Sequence, residues 1–336
     1  MSLHFQSEFG GVPLPHSYLA VDFFFILSGF VLAHAYEDRL LGGMTPIQFL
    51  RLRLIRLYPL YLIGTLIGLA SATAVANLDW SKPISFLSII SALFFLPDLS
   101  FRDHLYPLNS PAWSLFFELT INAAYAIALR CLTNQFLILL AVLSLAILIG
   151  SYPNVTIGWN WANFIGGFPR VSFGFFAGVL TYRIWSTAKW RPCVPQWAAE
   201  GLAIVLLLSF AVGRSSSWHD RYDYIALLVF PFLVYCGACR EPLPRNRPIF
   251  LWLGSISFAL YITHRPLMQS AEFLSQSFFQ IHLAAAAPWS GLGIGAIALM
   301  LAALFSRIDP VLRRILLGDT KSEHSIAVAR NLISLK

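Results

Sequence analysis

The segment "AVDFFFILSGFVLAHAY", residues 20–36, sets a carboxylate at the mouth of an apolar run. Asp22 precedes three phenylalanines, the small pair Ser28-Gly29, and His34. An ionisable group at membrane depth costs about 2.5–3.5 kcal/mol on insertion scales, so each one calls for a reason. Asp22 has two. It can meet the free N–H groups and dipole of a helix N-terminus, or it can partner a buried arginine or a substrate hydroxyl. His34 stands about 18 Å further along the helix axis, either as an interfacial residue or as an acid or base near neutrality.

Three further stretches carry chemistry. "FLRLRLIRLYPLYL" holds Arg51, Arg53 and Arg56. These suit either topology and lipid-phosphate contact or a cationic mouth for a phosphorylated donor such as coenzyme A. Arginine binds phosphate bidentately and keeps its charge in any setting. "PLNSPAWSLFFELTIN" holds Asn109, Ser110, Trp113, Ser114 and Glu118. Trp113 reads as an interfacial anchor. Glu118 sits roughly 7 Å into an apolar helix, where a carboxylate is rare without a partner. "SISFALYITHRPLM" holds His264 and Arg265 before Pro266. A proline kink frees backbone groups that neighbours or water must satisfy, so this pair fits a polar cavity or the headgroup level. His4, close to the start, carries little weight by itself.

The elements that must position these groups follow from composition. The 336 residues are 57% hydrophobic and only 12% charged, with a mean hydropathy of +0.68. A soluble domain carries about a quarter charged residues. The chain is therefore read as an all-α, polytopic transmembrane bundle. Continuous runs such as "FLILLAVLSLAILIG" exclude the alternating pattern of a membrane barrel. Spans are expected near 18–36, 57–77, 113–130, 135–150, 171–185, 200–213, 224–240, 249–270 and 283–306. The stretch 84–97 is too short to cross.

Charge distribution supports that layout. If 84–97 does not cross, the clusters at Arg51–Arg56, Arg183–Arg191, Arg240–Arg247 and Arg307–Arg314 share the cytoplasmic side. Lys82, Arg102, Arg170, Arg214, Arg221 and Arg265 then face outward, as the positive-inside rule favours. Both termini are expected in the cytoplasm, with about ten helices and the first one incomplete. The membrane domain is placed at 1–310, followed by a polar tail, 311–336. The net charge of +7 belongs to inner loops rather than to a nucleic-acid groove, which would interleave stacking aromatics. Among the four cysteines, the "CGAC" pair at Cys236 and Cys239 ends an apolar helix and reads as helix packing. No histidine stands at zinc spacing from it, so no metal site is expected.

Taken in order, "YLAVDFFFILSGFVLAHAY", "FLRLRLIRLYPLYL", "SPAWSLFFEL" and "SISFALYITHRPL" resemble the acyltransferase 3 family of integral-membrane acyltransferases, over roughly residues 1–310. The resemblance implies transfer of an acyl group, commonly acetyl from acetyl-CoA, to hydroxyls of an envelope carbohydrate at the inner (plasma) membrane. It implies no permanently bound cofactor. The family's hallmark is a first-helix histidine with an arginine about eleven residues earlier. His4 matches the histidine's position. The arginine has no counterpart, and the start is expected to fall inside the first helix.

The expected catalytic residues are thus His4, as base or acyl carrier, with Glu118 and Asp22. The expected substrate-binding residues are Arg51, Arg53, Arg56, His34, Ser28, Asn109, Ser110, Trp113, His264 and Arg265. Small Ser28 and Gly29 admit either a neighbouring helix or the pantetheine arm. Two rivals stay open: a flippase for a lipid-linked glycan, and an inactive truncated relative.

Overall fold

A computed structural model describes residues 15–76, 85–100, 103–188, 195, 197–211 and 219–317. Among them there are ten α-helices and no strand. The helices are α1 (Leu19–Leu41), α2 (Pro46–Ala76), α3 (Phe86–Leu93), α4 (Ala112–Ala128), α5 (Asn134–Ser151), α6 (Gly167–Thr187), α7 (Ala198–Ala211), α8 (His219–Cys239), α9 (Arg247–Leu274) and α10 (Trp289–Leu317). Seven are long and apolar enough to cross a membrane, namely α1, α2, α4, α5, α6, α8 and α10. The apolar part of α7 is shorter. α9 is long, but Ser255, Ser257, Tyr261, Thr263, His264 and Arg265 give it a polar character.

Helix directions follow from which ends meet. Asp22, in the first turn of α1, is bonded to Arg170 in the first turn of α6. Tyr18, just before α1, is bonded to Asp223 near the start of α8. At the other end, Glu37 of α1 is bonded to Arg183 of α6 and accepts from Tyr125 near the end of α4. So α1, α4, α6 and α8 all run from a Tyr18 face to a Glu37 face. With α1 and α4 parallel and α2 returning between them, α3 makes no crossing. Its eight residues span only about 12 Å. The non-crossing reading of 84–97 agrees with this geometry.

Several helix boundaries differ from the sequence reading. α2 begins at Pro46, so Arg51, Arg53 and Arg56 are helical rather than in a preceding loop. The reason is local. In "TPIQ", the Thr45 hydroxyl accepts from the Gln48 N–H while the Gln48 side chain accepts from the Thr45 N–H. That is a capping box with proline at the first helical position. α6 likewise starts early enough to contain Arg170. α10 continues past residue 310 to Leu317, through the boundary expected between membrane domain and tail. Residues 1–14, which hold the expected first helix, and 318–336 lie outside the described residues.

The most extensive helix–helix contact is between α1 and α6. A Cβ on Gly29 would lie 2.0 Å from the Phe175 carbonyl oxygen, and one on Gly178 would lie 2.0 Å from that of Ile26. Gly174 and Gly178 form a G-x-x-x-G pair, the spacing that lets membrane helices touch backbone to backbone. The space beside Gly29 is therefore filled by α6, not left for a pantetheine arm. Around this contact, Phe25, Phe117, Tyr125 and Phe175 pack with almost no exposure.

Candidate active site

Glu118 occupies the middle of the bundle and is 1% exposed. α4 places it about one and a half turns beyond Trp113. Its Oε1 accepts from Arg53 Nη2 at 2.6 Å and from the Ser28 hydroxyl at 2.9 Å. Three helices, α1, α2 and α4, thus converge on one carboxylate oxygen. The second oxygen, Oε2, is buried with no hydrogen-bond partner among the described residues, and so is Arg53 Nε. A buried carboxylate oxygen is costly to leave unsatisfied, so this atom calls for a donor beyond the described residues.

Above Glu118, on the Tyr18 face, a cavity of about 510 Å³ opens between α1, α4 and α9. Its walls are mostly aromatic: Phe24, Tyr106, Trp113, Trp159, Phe258 and Tyr261. Ser110, His104, Arg170, His264 and Arg265 also line it. The α9 wall is tied to the start of α4, because the Tyr261 hydroxyl donates to the Pro111 carbonyl and bonds Ser114 Oγ at 2.7 Å. His264 Nδ1 bonds the Tyr261 carbonyl at 2.6 Å. In a neutral imidazole that bond puts the proton on Nδ1 and makes Nε2 the basic nitrogen.

Two buried networks brace the cavity from behind. Arg170 grips Asp22 with both ends of its fork, Nε at 2.8 Å and Nη2 at 2.7 Å. It also donates to the Ile157 carbonyl and lies 5.1 Å from the Trp113 ring centre. Next to it, fully buried Asp223 accepts from the Tyr18 hydroxyl at 2.7 and 2.8 Å and from the Val155 N–H. His16 bonds the same carboxylate at 3.2 Å. Burial and the neighbouring Asp223 charge hold the Tyr18 phenol well above its ordinary pKa, so it stays a donor.

A polar line leads from the cavity to the Glu37 face. Tyr261 lies within electrostatic reach of Glu118, and Glu118 in turn of Arg56. Arg56 makes no hydrogen bond or ion pair among the described residues, and Arg51 is exposed nearby on α2. The arrangement sets an aromatic cavity on one side of a central carboxylate and the arginines of α2 beside it.

The acyltransferase-domain model of the acyltransferase 3 family matches residues 2–307, which include almost every described helix. The chain belongs to the acyltransferase 3 family. It is an acyltransferase with the helices of a multi-pass membrane protein. Among relatives of the chain, the protein 2 in picA locus of Rhizobium radiobacter is 40% identical over 164 residues, covering 44% of this chain and 85% of that one. The exopolysaccharide production protein ExoZ of Rhizobium meliloti (strain 1021) is 25% identical over 85% of this chain and 83% of its own. Acyltransferase MdmB of Streptomyces mycarofaciens is 25% identical over 85% and 76%. No solved structure matches the chain.

Set against the sequence reading, Ser28, Arg53 and Glu118 come together at the centre. Ser110, Trp113, His264 and Arg265 gather at the cavity. Asp22 lies behind the cavity wall with both oxygens on Arg170, so the helix N-terminus alone does not explain it. Asn109 is buried beside a second, much smaller cavity, its amide without a partner among the described residues. His34 is exposed against Tyr182 and Trp185, on another side of α1 from Ser28. His4 lies outside the described residues. The sequence reading missed Arg170, Tyr261 and the His16–Tyr18–Asp223 group. It had counted Arg170 among outward-facing charges.

Proposed function

We propose that the chain transfers an acyl group, acetyl in the first instance, from acyl-CoA to a hydroxyl of a cell-envelope carbohydrate. The observation that carries this reading is the buried central carboxylate, with one oxygen unpartnered among the described residues, set between an aromatic cavity and the arginines of α2. Aromatic faces suit the C–H faces of sugar rings, and Ser110, His264 and Arg265 offer hydrogen bonds to hydroxyls. Arg56, without an ion pair among the described residues, and exposed Arg51 suit the phosphates of coenzyme A. The name of ExoZ, an exopolysaccharide production protein, agrees with a carbohydrate acceptor.

In this reading the sugar hydroxyl loses its proton to an imidazole as its oxygen attacks the thioester carbonyl. The C–S bond then breaks, and the coenzyme leaves as a thiol after taking up a proton. A positioned base of this kind is worth about 10²–10⁴-fold. His4 takes the role through its match to the family's hallmark, with Glu118 or Asp22 as the orienting carboxylate. The Glu37 face is assigned to the cytoplasm, where acyl-CoA is made, and the protein to the inner (plasma) membrane with both termini cytoplasmic. No cofactor is bound permanently.

The test is incubation of membranes containing the protein with acetyl-labelled acetyl-CoA and envelope carbohydrate. Label is expected in the carbohydrate as an alkali-labile ester. A glycan transporter would leave the carbohydrate unlabelled, and that result would overturn the proposal.

A further inference from the structure

α10 brings a second arginine–carboxylate pair to the Glu37 face. Arg313 is bonded to Asp309 one turn earlier on the same helix. The Asp309 side chain is 8% exposed and that of Arg313 30%. α10 packs along α2, and Arg56 lies within electrostatic reach of Arg53, Arg313 and Asp309. Three guanidinium groups therefore share one neighbourhood with two carboxylates. Both carboxylates are engaged, Glu118 with Arg53 and Asp309 with Arg313. The Nε atoms of Arg53 and Arg313 are buried with no hydrogen-bond partner among the described residues. Among the described residues, the cluster has one positive charge more than its carboxylates balance and N–H groups to spare, which is the requirement of an anion of fixed shape.

We propose that Arg313 is a further phosphate-binding arginine of the donor site, held in place by Asp309 until a donor phosphate takes over its N–H groups. This rests on the acyl-CoA reading above. The nucleotide end of coenzyme A carries several phosphates, so a guanidinium from α10 facing those of α2 would grip it from two sides. Asp309 keeps the empty site from presenting all its positive charge at once. An anionic lipid headgroup offers the same phosphate chemistry, and the experiment separates the two sources.

The experiment compares acetyl-CoA with S-acetylpantetheine, which has the thioester but no phosphate, using the full chain in phosphatidylcholine bilayers. Arg313→Gln is expected to raise KM for acetyl-CoA about tenfold or more, the scale of one charged hydrogen bond. It should change kcat within about twofold and leave KM for S-acetylpantetheine unaltered. Asp309→Asn removes the ion pair but keeps the guanidinium, so acetyl-CoA should retain its advantage. If Arg313→Gln does not fold, Arg313→Lys keeps the charge without the fork and should show a smaller rise confined to acetyl-CoA.

An equal rise in KM for both donors would overturn the proposal. So would an Asp309→Asn variant that behaves like Arg313→Gln, since the pair would then be merely structural. An effect of Arg313→Gln seen only when phosphatidylglycerol is added would assign the arginine to lipid instead. Wild-type protein that turns over neither donor would refute the acyl-CoA reading itself, a result distinct from unchanged donor preference in an active enzyme.

Discussion

Glu118, Arg53 and Ser28 show at residue scale how a charged group is kept inside an apolar bundle. Removing water from a carboxylate and a guanidinium is costly, and their attraction repays it only with good geometry. Here a 2.6 Å ion pair and a 2.9 Å hydroxyl contact supply that geometry on one oxygen. The other oxygen has no hydrogen-bond partner among the described residues. Glu118→Gln strands the Arg53 charge, so unfolding in detergent should become easier by about 3–5 kcal/mol. Turnover per folded molecule should fall about 10²–10⁴-fold, the range of a lost general-base system. Ser28→Ala removes one contact and should cost about 1.5–3 kcal/mol in the same assay. Equal losses for the two variants would contradict the central place given to Glu118.

At the scale of elements, α1 and α6 form the frame. Arginine–carboxylate pairs pin them near both ends, Asp22–Arg170 and Glu37–Arg183, and glycines close the gap between. A Cβ at Gly178 would meet the Ile26 backbone at 2.0 Å, whereas one at Gly237 in α8 meets nothing within 4 Å. Gly178→Leu should therefore abolish the folded, monodisperse protein on size exclusion, and Gly237→Leu should elute as wild type.

Part of this frame was readable in the chain. Hydrophobic length located each long helix, and the basic clusters showed that 84–97 does not cross. The lone arginine in "FPRVSFGFFAG" was a signal passed over, because an isolated charge in an apolar helix needs a partner and Asp22 sits at the same depth. The glycine pair in "GFFAG" was another. The pairing itself joins residues far apart in sequence, Asp22 with Arg170 and Tyr18 with Asp223. Periodicity says which residues share one helix face, not which helix that face meets. Helix starts were misplaced for a different reason: the capping chemistry of Thr45 and Gln48 extended α2 over arginines that had been taken for a loop.

The whole molecule is a two-sided reaction vessel in this account. The aromatic cavity opens on the Tyr18 face, Arg183 and Arg313 lie toward the Glu37 face, and Glu118 with Arg53 lies between them. The most direct test is sidedness in sealed vesicles, because coenzyme A does not cross a bilayer. With inverted vesicles, labelled acetyl-CoA added outside meets the cytoplasmic face, and label should appear on carbohydrate inside. With right-side-out vesicles the same addition should leave the carbohydrate unlabelled until the membrane is opened. Labelling from the outer side of intact right-side-out vesicles would contradict the assignment of donor and acceptor to opposite faces.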